Sequence, residues 1–304
     1  MMRRLFIIYN PNSSRYESVK TEVLNHSTTD FKGYLVGKFA IEKTGFEANV
    51  KKLSKLLRDN DLVLAVGGDA TAAIAANAIL HSGKDVTLAV LPYGNFNDLA
   101  RTLGTFHLKD ILEHPDQTKT LYPLEISVDG EFFRYATCYT TIGMTAEAVE
   151  IFDDQKIRKS IRKTSQRSYK SYVYLAKWYF KNRHKKVFLP EFRLNGKTTP
   201  KKVSDYCALN GRSMCQVMKG RDDYLDPNNF RSENCRLTSF PRLFMLMAKS
   251  ILYRVPGTTT RGDTLEFVVP ATVELQAEGE YRIFENIKKI TIKKGSKCLK
   301  VIHA

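Results

Sequence analysis

The chain has 304 residues, 43% of them hydrophobic, and a formal net charge of +16, which suits a globular protein of two domains and excludes a disordered or low-complexity chain. No apolar run approaches the roughly 18–20 residues that cross a bilayer, and the short run at 5–9 reads as a buried strand, not the core of a signal peptide. The five cysteines are scattered, form no zinc-ligand spacing and suit a reducing cytosol, while the charge implies a polyanionic neighbour or a solubilising surface without choosing between them.

Short apolar runs at 5–9, 34–39, 62–66 and 87–91 are predicted strands, and 18–26, 46–58 and 72–80 are predicted helices. Their alternation defines an α/β domain over residues 1–120 with a doubly wound, Rossmann-like parallel sheet. From 121 to 304 the texture turns β-rich, with segments at 121–127, 131–142, 187–194 and 203–209 and turn signals at Asp129-Gly130 and Asn195-Gly196. Further strand-like segments follow at 265–269, 272–276 and 287–292, so a second, mainly antiparallel domain is expected, its C-terminal tail free to return to the first. A basic stretch at 156–186 and an apolar helix at 243–252 interrupt it.

Two junctions carry chemistry. In the first, the predicted strand at 62–66 runs into Gly67-Gly68-Asp69-Ala70-Thr71 and then a helix capped by Asp69 or Thr71, an arrangement that offers backbone N–H groups and a positive dipole end to a phosphate. One strand later, Pro92-Tyr93-Gly94-Asn95-Phe96-Asn97-Asp98 repeats the design, with an Asn/Asp-capped helix at the same sheet edge. Either junction alone reads equally as a capped turn. Together, one βα unit apart, they are expected to flank one crevice.

The pair resembles the GGDGT and PxGTxND(F/L)AR signatures of the diacylglycerol kinase catalytic domain family, whose first signature sphingoid lipid kinases and, more distantly, NAD kinases share. Asn10-Pro11-Asn12-Ser13-Ser14 is similar to that family's NPxSG turn, Asn210-Gly211 to an Asn-Gly pair of its second domain, and Gln276-Ala277-Glu278-Gly279-Glu280 to its QxDGE segment. The resemblance implies an ATP- and Mg²⁺-dependent lipid kinase with a nucleotide-binding α/β domain and a C-terminal β-sandwich that covers a lipid cleft. It implies nucleotide contacts at Asn10, Thr44, Gly67, Gly68, Asp69, Ala70, Thr71, Ala73, Gly94, Asn95, Asn97 and Asp98. It also implies that Glu280 is the proton acceptor and that Asp69 serves nucleotide, Mg²⁺ and catalysis.

Several positions depart from the family pattern. Ala70 stands in place of a glycine, Asn95 in place of a threonine, Ala73-Ile74 in place of an Asn-Glu pair and Glu278 in place of the aspartate of DGE. If position 70 needs a positive φ, its methyl adds roughly 1 kcal/mol of strain. The Asp-Gly-x-Leu segment that builds a structural Mg²⁺ site in the bacterial branch has its nearest match at Asn234-Cys235-Arg236-Leu237, where the carboxylate is lost.

The basic, aromatic stretch at 156–186 suits a solvated helix or the headgroup plane of an anionic membrane. No nucleic-acid-binding module accompanies it, so no nucleic-acid partner is expected. The expected protein is therefore a cytoplasmic, peripherally membrane-associated kinase of a diacylglycerol-like lipid. A homodimer is left open. A catalytically weak relative that binds nucleotide or anionic lipid, an NAD kinase and a nucleic-acid-binding protein are the competing readings.

Overall fold

The computed structural model describes residues 3–13, 15–25, 31, 33–105, 107–143, 145–147, 191–199, 205–214, 218–219, 221–235, 258–268 and 272–303, with a few single positions between 157 and 181. The basic stretch at 156–186 falls almost wholly outside them, as does the apolar run at 243–252. The chain divides into two units: residues 1–123 with 295–304, and residues 124–294.

In the first unit, β1 (Arg3–Tyr9), β2 (Tyr34–Ala40), β3 (Leu62–Gly67), β4 (Thr87–Pro92) and β5 (Thr118–Leu121) share a sheet with the C-terminal strand Leu299–Ile302. Its order is β2-β1-β3-β4, then the C-terminal strand, then β5. Every pairing in it is parallel except that between β5 and the C-terminal strand. The apolar runs of β3 and β4 are buried on both faces because they lie in the middle of this sheet. With the order 2-1-3-4, the connections diverge between β1 and β3, where an open α/β sheet forms its ligand crevice at the strands' carboxyl ends.

The helices of this unit depart from expectation at their ends. Where a helix over 18–26 is expected, α1 (Tyr16–Val19) widens into a π-type segment, Lys20–Leu24, closed by the Asn25 N–H on the Lys20 carbonyl at 2.8 Å. Helix α2 (Phe46–Leu56) buries Phe46, Asn49, Val50 and Leu53, one stripe at spacings of three and four. It stops two residues short of expectation because buried Asp61 accepts the Arg58 N–H at 2.8 Å and holds the chain in a turn. Helix α3 (Asp69–Ser82) is buried from Thr71 to Leu80, and its many alanines let it pack closely on all sides. It ends on Gly83 at φ 66, a left-handed stop. Helices α4 (Asp98–Leu103) and α5 (Leu108–Glu113) are short.

The second unit contains β6 (Leu124–Val128), β7 (Glu131–Ala136), β8 (Tyr139–Gly143), β9 (Glu191–Leu194), β10 (Lys197–Thr199), β11 (Asp205–Leu209), β12 (Ser213–Met214), β13 (Met218–Lys219), β14 (Phe230–Cys235), β15 (Thr258–Gly262), β16 (Thr264–Val268), β17 (Thr272–Ala277), β18 (Glu280–Glu285) and β19 (Lys289–Lys294). They form two six-stranded antiparallel sheets, β10-β9-β16-β19-β6-β7 and β15-β14-β11-β8-β17-β18, with β12 and β13 as a small separate pair. One core joins both sheets: Ile126, Phe267 and Ile292 from the first meet Ile142, Tyr206 and Leu275 from the second. Tyr206 and Phe267 touch edge to face at 5.1 Å. This is the expected β-sandwich.

The segment 131–142, expected as one strand, is two. It breaks at Thr137-Cys138, so that β7 and β8 enter different sheets. The break is held by polar partners: the Asn210 side-chain amide donates to the Thr137 carbonyl at 2.7 Å, and the Asn210 and Gly211 N–H groups donate to the Cys138 carbonyl.

Candidate functional site

In the first unit, β3 and β4 end side by side, Gly67 paired with Pro92. Beyond them the two loops touch. A Cβ on Gly94 would collide with the Gly68 Cα, so that position requires glycine for the close approach, and one on Gly68 would come to 3.1 Å of the Gly94 Cα, a tight contact. Gly67 leaves room for Thr71, whose Cβ would lie 2.7 Å from an added methyl.

The caps differ from the sequence expectation. Gly68 is the N-cap of α3, with no side-chain cap, and Thr71 packs beneath Gly67. Asp69 serves the neighbouring helix: its two carboxylate oxygens accept the Asn97 N–H at 3.0 Å and the Asp98 N–H at 2.6 Å. Asn97, at φ 55 the left-handed N-cap of α4, does not cap with its side chain either. Its amide closes the preceding turn, accepting the Gly94 N–H at 2.7 Å and donating to the Gly94 carbonyl at 3.0 Å. The reason is common to both: with Asp69 supplying the acceptor for α4, Asn97 is released to brace the loop. Meanwhile α3 starts at a glycine cap, and a helix N-terminus favours anions.

Gly67, Gly68, Asp69, Gly94, Asn95, Asn97 and Asp98 are thus brought together. Asn10 lies at the carboxyl end of β1, where its side chain accepts the Asn12 N–H at 2.9 Å in a tight turn. Thr44 is exposed in the turn after β2. Ala70 occupies the first turn of α3 and is not among the residues with positive φ, so its methyl is unstrained there. Ala73 is buried inside α3, its carbonyl accepting from the Asn77 side chain at 2.9 Å.

One contact escaped the sequence reading. The Tyr93 hydroxyl, in the second loop, donates to Glu22 on the π-type segment at 2.7 Å, and burial together with Glu22 pushes its pKa up. A tyrosine between Pro92 and Gly94 was the available signal, but its partner lies 71 positions away.

Glu280 and Asn234 belong to the second unit. Glu280 is the first residue of the edge strand β18, half-buried, paired with Ala277 across a two-residue turn. Both turn residues have positive φ, Glu278 at 53 and Gly279 at 87, the conformation of tight hairpins. Glu278 is buried, and its carboxylate accepts from the Thr137 hydroxyl and the Cys138 N–H. Asn234 lies inside β14, paired through the backbone with Tyr206 and Thr258, and Leu237 lies outside the described residues. Among the described residues no three His, Cys, Asp or Glu side chains are grouped to hold a metal ion.

Residues 4–122 match the family model of the diacylglycerol kinase catalytic domain. A diacylglycerol kinase of Bacillus subtilis (strain 168) is 34% identical over 137 residues, which are 43% of this chain and 44% of that protein. A diacylglycerol kinase of Staphylococcus carnosus (strain TM300) is 32% identical over 138 residues, 44% of this chain and 43% of that protein. The matched region thus spans less than half the length of these relatives. The crystal structure of a diacylglycerol kinase from Bacillus anthracis str. Sterne superposes with a TM-score of 0.71 over 99% of this chain and 97% of that one, at 14% identity. Residues 4–122 are thus similar to the diacylglycerol kinase catalytic domain, and the chain as a whole has the fold of that crystal structure.

Proposed function

We propose that the chain is a lipid kinase that transfers the γ-phosphoryl group of ATP to a hydroxyl of a diacylglycerol-like lipid. The observation that carries this reading is the interlock of the two loops: Asp69 of the first holds the Asn97 and Asp98 amides of the second while Gly68 and Gly94 meet. It makes a glycine-lined edge at the N-terminus of α3, suited to the phosphates of a nucleotide. Phosphoryl transfer needs positioning and charge neutralisation more than covalent help.

Mg²⁺ fits this chain only as a companion of the nucleotide. Asp69 is the carboxylate at this edge, accepting one N–H on each oxygen, and among the described residues no group of three His, Cys, Asp or Glu side chains could hold the ion by itself. Bound there, the cation would neutralise charge on the β- and γ-phosphates. In the second unit, Glu280 accepts the proton of the lipid hydroxyl as the new O–P bond forms and the bond to the ADP oxygen breaks. The charge of +16 favours the anionic membrane surface on which such a lipid is met.

A γ-³²P-ATP assay with a mixed lipid extract tests the reading, with wild type beside Glu280→Gln. Wild type should label lipid and the variant should not. Equal labelling by both removes Glu280 from the reaction, and labelling of NAD in place of lipid overturns the substrate class.

A further inference from the structure

We propose that Glu278 is a positioning residue, whose buried carboxylate ties the turn that carries Glu280 to the break between β7 and β8 and so presents Glu280 in a single orientation. This rests on the reading of Glu280 as proton acceptor.

Glu278 stands in a backbone conformation that its residue type disfavours. Among the described residues of the second unit, three hairpin turns have an X-Gly pair with positive φ at both residues: Asp129-Gly130, Asn195-Gly196 and Glu278-Gly279. Asp and Asn tolerate the left-handed region; a glutamate there costs on the order of 1 kcal/mol and persists only where its surroundings fix it. In the first two turns the side chain reaches adjacent backbone, Asp129 accepting the Lys288 and Lys289 N–H groups and Asn195 that of Asp263. Glu278 instead carries its carboxylate inward, to 4% exposure, where Thr137 and Cys138 donate to one oxygen.

The peptide it engages is polarised from both ends. The Cys138 N–H donates to Glu278, while the Thr137 carbonyl of the same peptide accepts from the Asn210 side-chain amide at 2.7 Å. The Asn210 side-chain oxygen in turn accepts from the Lys294 ammonium, which also donates to the Asp223 carbonyl at 2.7 Å. A buried carboxylate and the buried Lys294 amino group are therefore joined through one peptide and one amide, an arrangement in which each bond strengthens the next.

The tether matters because of where the turn sits. On the β17 side the hairpin is secured to β8, the Thr140 hydroxyl donating to the Gln276 carbonyl at 2.8 Å and that of Thr141 to the Gln276 side chain at 2.9 Å. Among the described residues β18 is the edge strand of its sheet, so the end bearing Glu280 has ladder support there from β17 alone. Glu278, two residues before it, supplies the fixed point.

The test uses the full chain and three variants. Glu278→Asn keeps a residue suited to the turn but cannot reach Thr137; Glu278→Gln keeps the acceptor oxygen at full length; Glu280→Gln removes the proton acceptor. Glu278→Asn should lower kcat by roughly tenfold or more, with KM for ATP little changed, Glu278→Gln should recover most of the loss, and Glu278→Asn should cost nothing further in kcat on the Glu280→Gln background. Amide hydrogen exchange at residues 279–281 should rise in Glu278→Asn and not in Glu278→Gln. Wild-type kcat in Glu278→Asn, with activity lost in Glu280→Gln, overturns the positioning role and leaves the kinase reading standing. If wild type transfers no phosphate to any lipid, the kinase reading falls, and unchanged exchange at 279–281 in Glu278→Asn then overturns the tether as well.

Discussion

Asp69 in the first unit and Glu278 in the second solve the same problem in different ways. Each is an acidic residue beside a glycine at a tight junction, and each uses its carboxylate to hold a distant segment. Asp69 does so from an ordinary helical backbone and binds two amides at the start of α4, where the helix dipole favours a negative charge. Glu278 does so from a left-handed backbone and a buried position, where the Thr137 hydroxyl and the Cys138 N–H donate to it. The first staple is intrinsically favourable and forms part of the proposed phosphate site; the second is costly and is sustained by the network behind it. An acid at a turn is therefore explained by the atoms it reaches, which its local sequence does not reveal.

The largest effect should follow from removing the favourable staple. Asp69→Ala leaves the Asn97 and Asp98 amides without their acceptor, so a loss of about 2–4 kcal/mol in urea unfolding is expected, together with loss of ATP binding by calorimetry. ATP binding that survives would separate the loop interlock from nucleotide recognition. Gly94→Ala attacks the same interface sterically: its methyl meets the Gly68 backbone, which has no flexible end to yield. A cost of about 1–3 kcal/mol and weakened ATP affinity are expected, and a variant of wild-type stability would show that the loops do not need to touch.

The contrast also marks how far the sequence could be read. The parallel sheet was legible because its strands are continuous apolar runs divided by helical periods, and the turns at Asp129-Gly130 and Asn195-Gly196 because their residue types announce a positive φ. Helix caps were misassigned because Asp69 and Asn97 are both good local cappers, and only the fold shows that one reaches 28 positions away while the other turns back on Gly94. The break at Thr137-Cys138 lies inside an unbroken β-like stretch, and its partner Glu278 is 141 positions distant. No local pattern encodes such a pairing.

The network behind the second staple gives a pH test of intermediate size. Burial pushes the Lys294 pKa down to about 7; Asp223 and Asp226 oppose the shift and Arg261 adds to it. Below pH 7 both folded and unfolded chains hold the proton, and the cost of the buried ammonium is fully present. Between about 7 and the ordinary lysine value of 10.5 the folded state releases a proton that the unfolded state keeps, so stability rises with pH across that window. Urea midpoints of wild type measured from pH 6 to 10 should show this rise, and Lys294→Met should remove the part due to this group. Parallel curves for the two proteins would place the Lys294 pKa outside the window and weaken the charge at the far end of the Glu278 chain.

The smallest effect concerns Ala70, where the family pattern has glycine. A glycine at this position suggests a left-handed residue or a need for space, and either would make the alanine a lesion. Here the residue lies in the first turn of α3 without a positive φ, so its methyl costs no backbone strain and favours the helix. Ala70→Gly should therefore destabilise slightly, by about 0.5–1 kcal/mol or less so near the helix end, and leave ATP affinity within about twofold, less than 0.5 kcal/mol. A large gain in ATP affinity on restoring glycine would mean that the alanine methyl stands in the way of the nucleotide. The interlocked loops would then be a well-built site narrowed by a single atom, and the chain a weak relative of the enzymes it resembles.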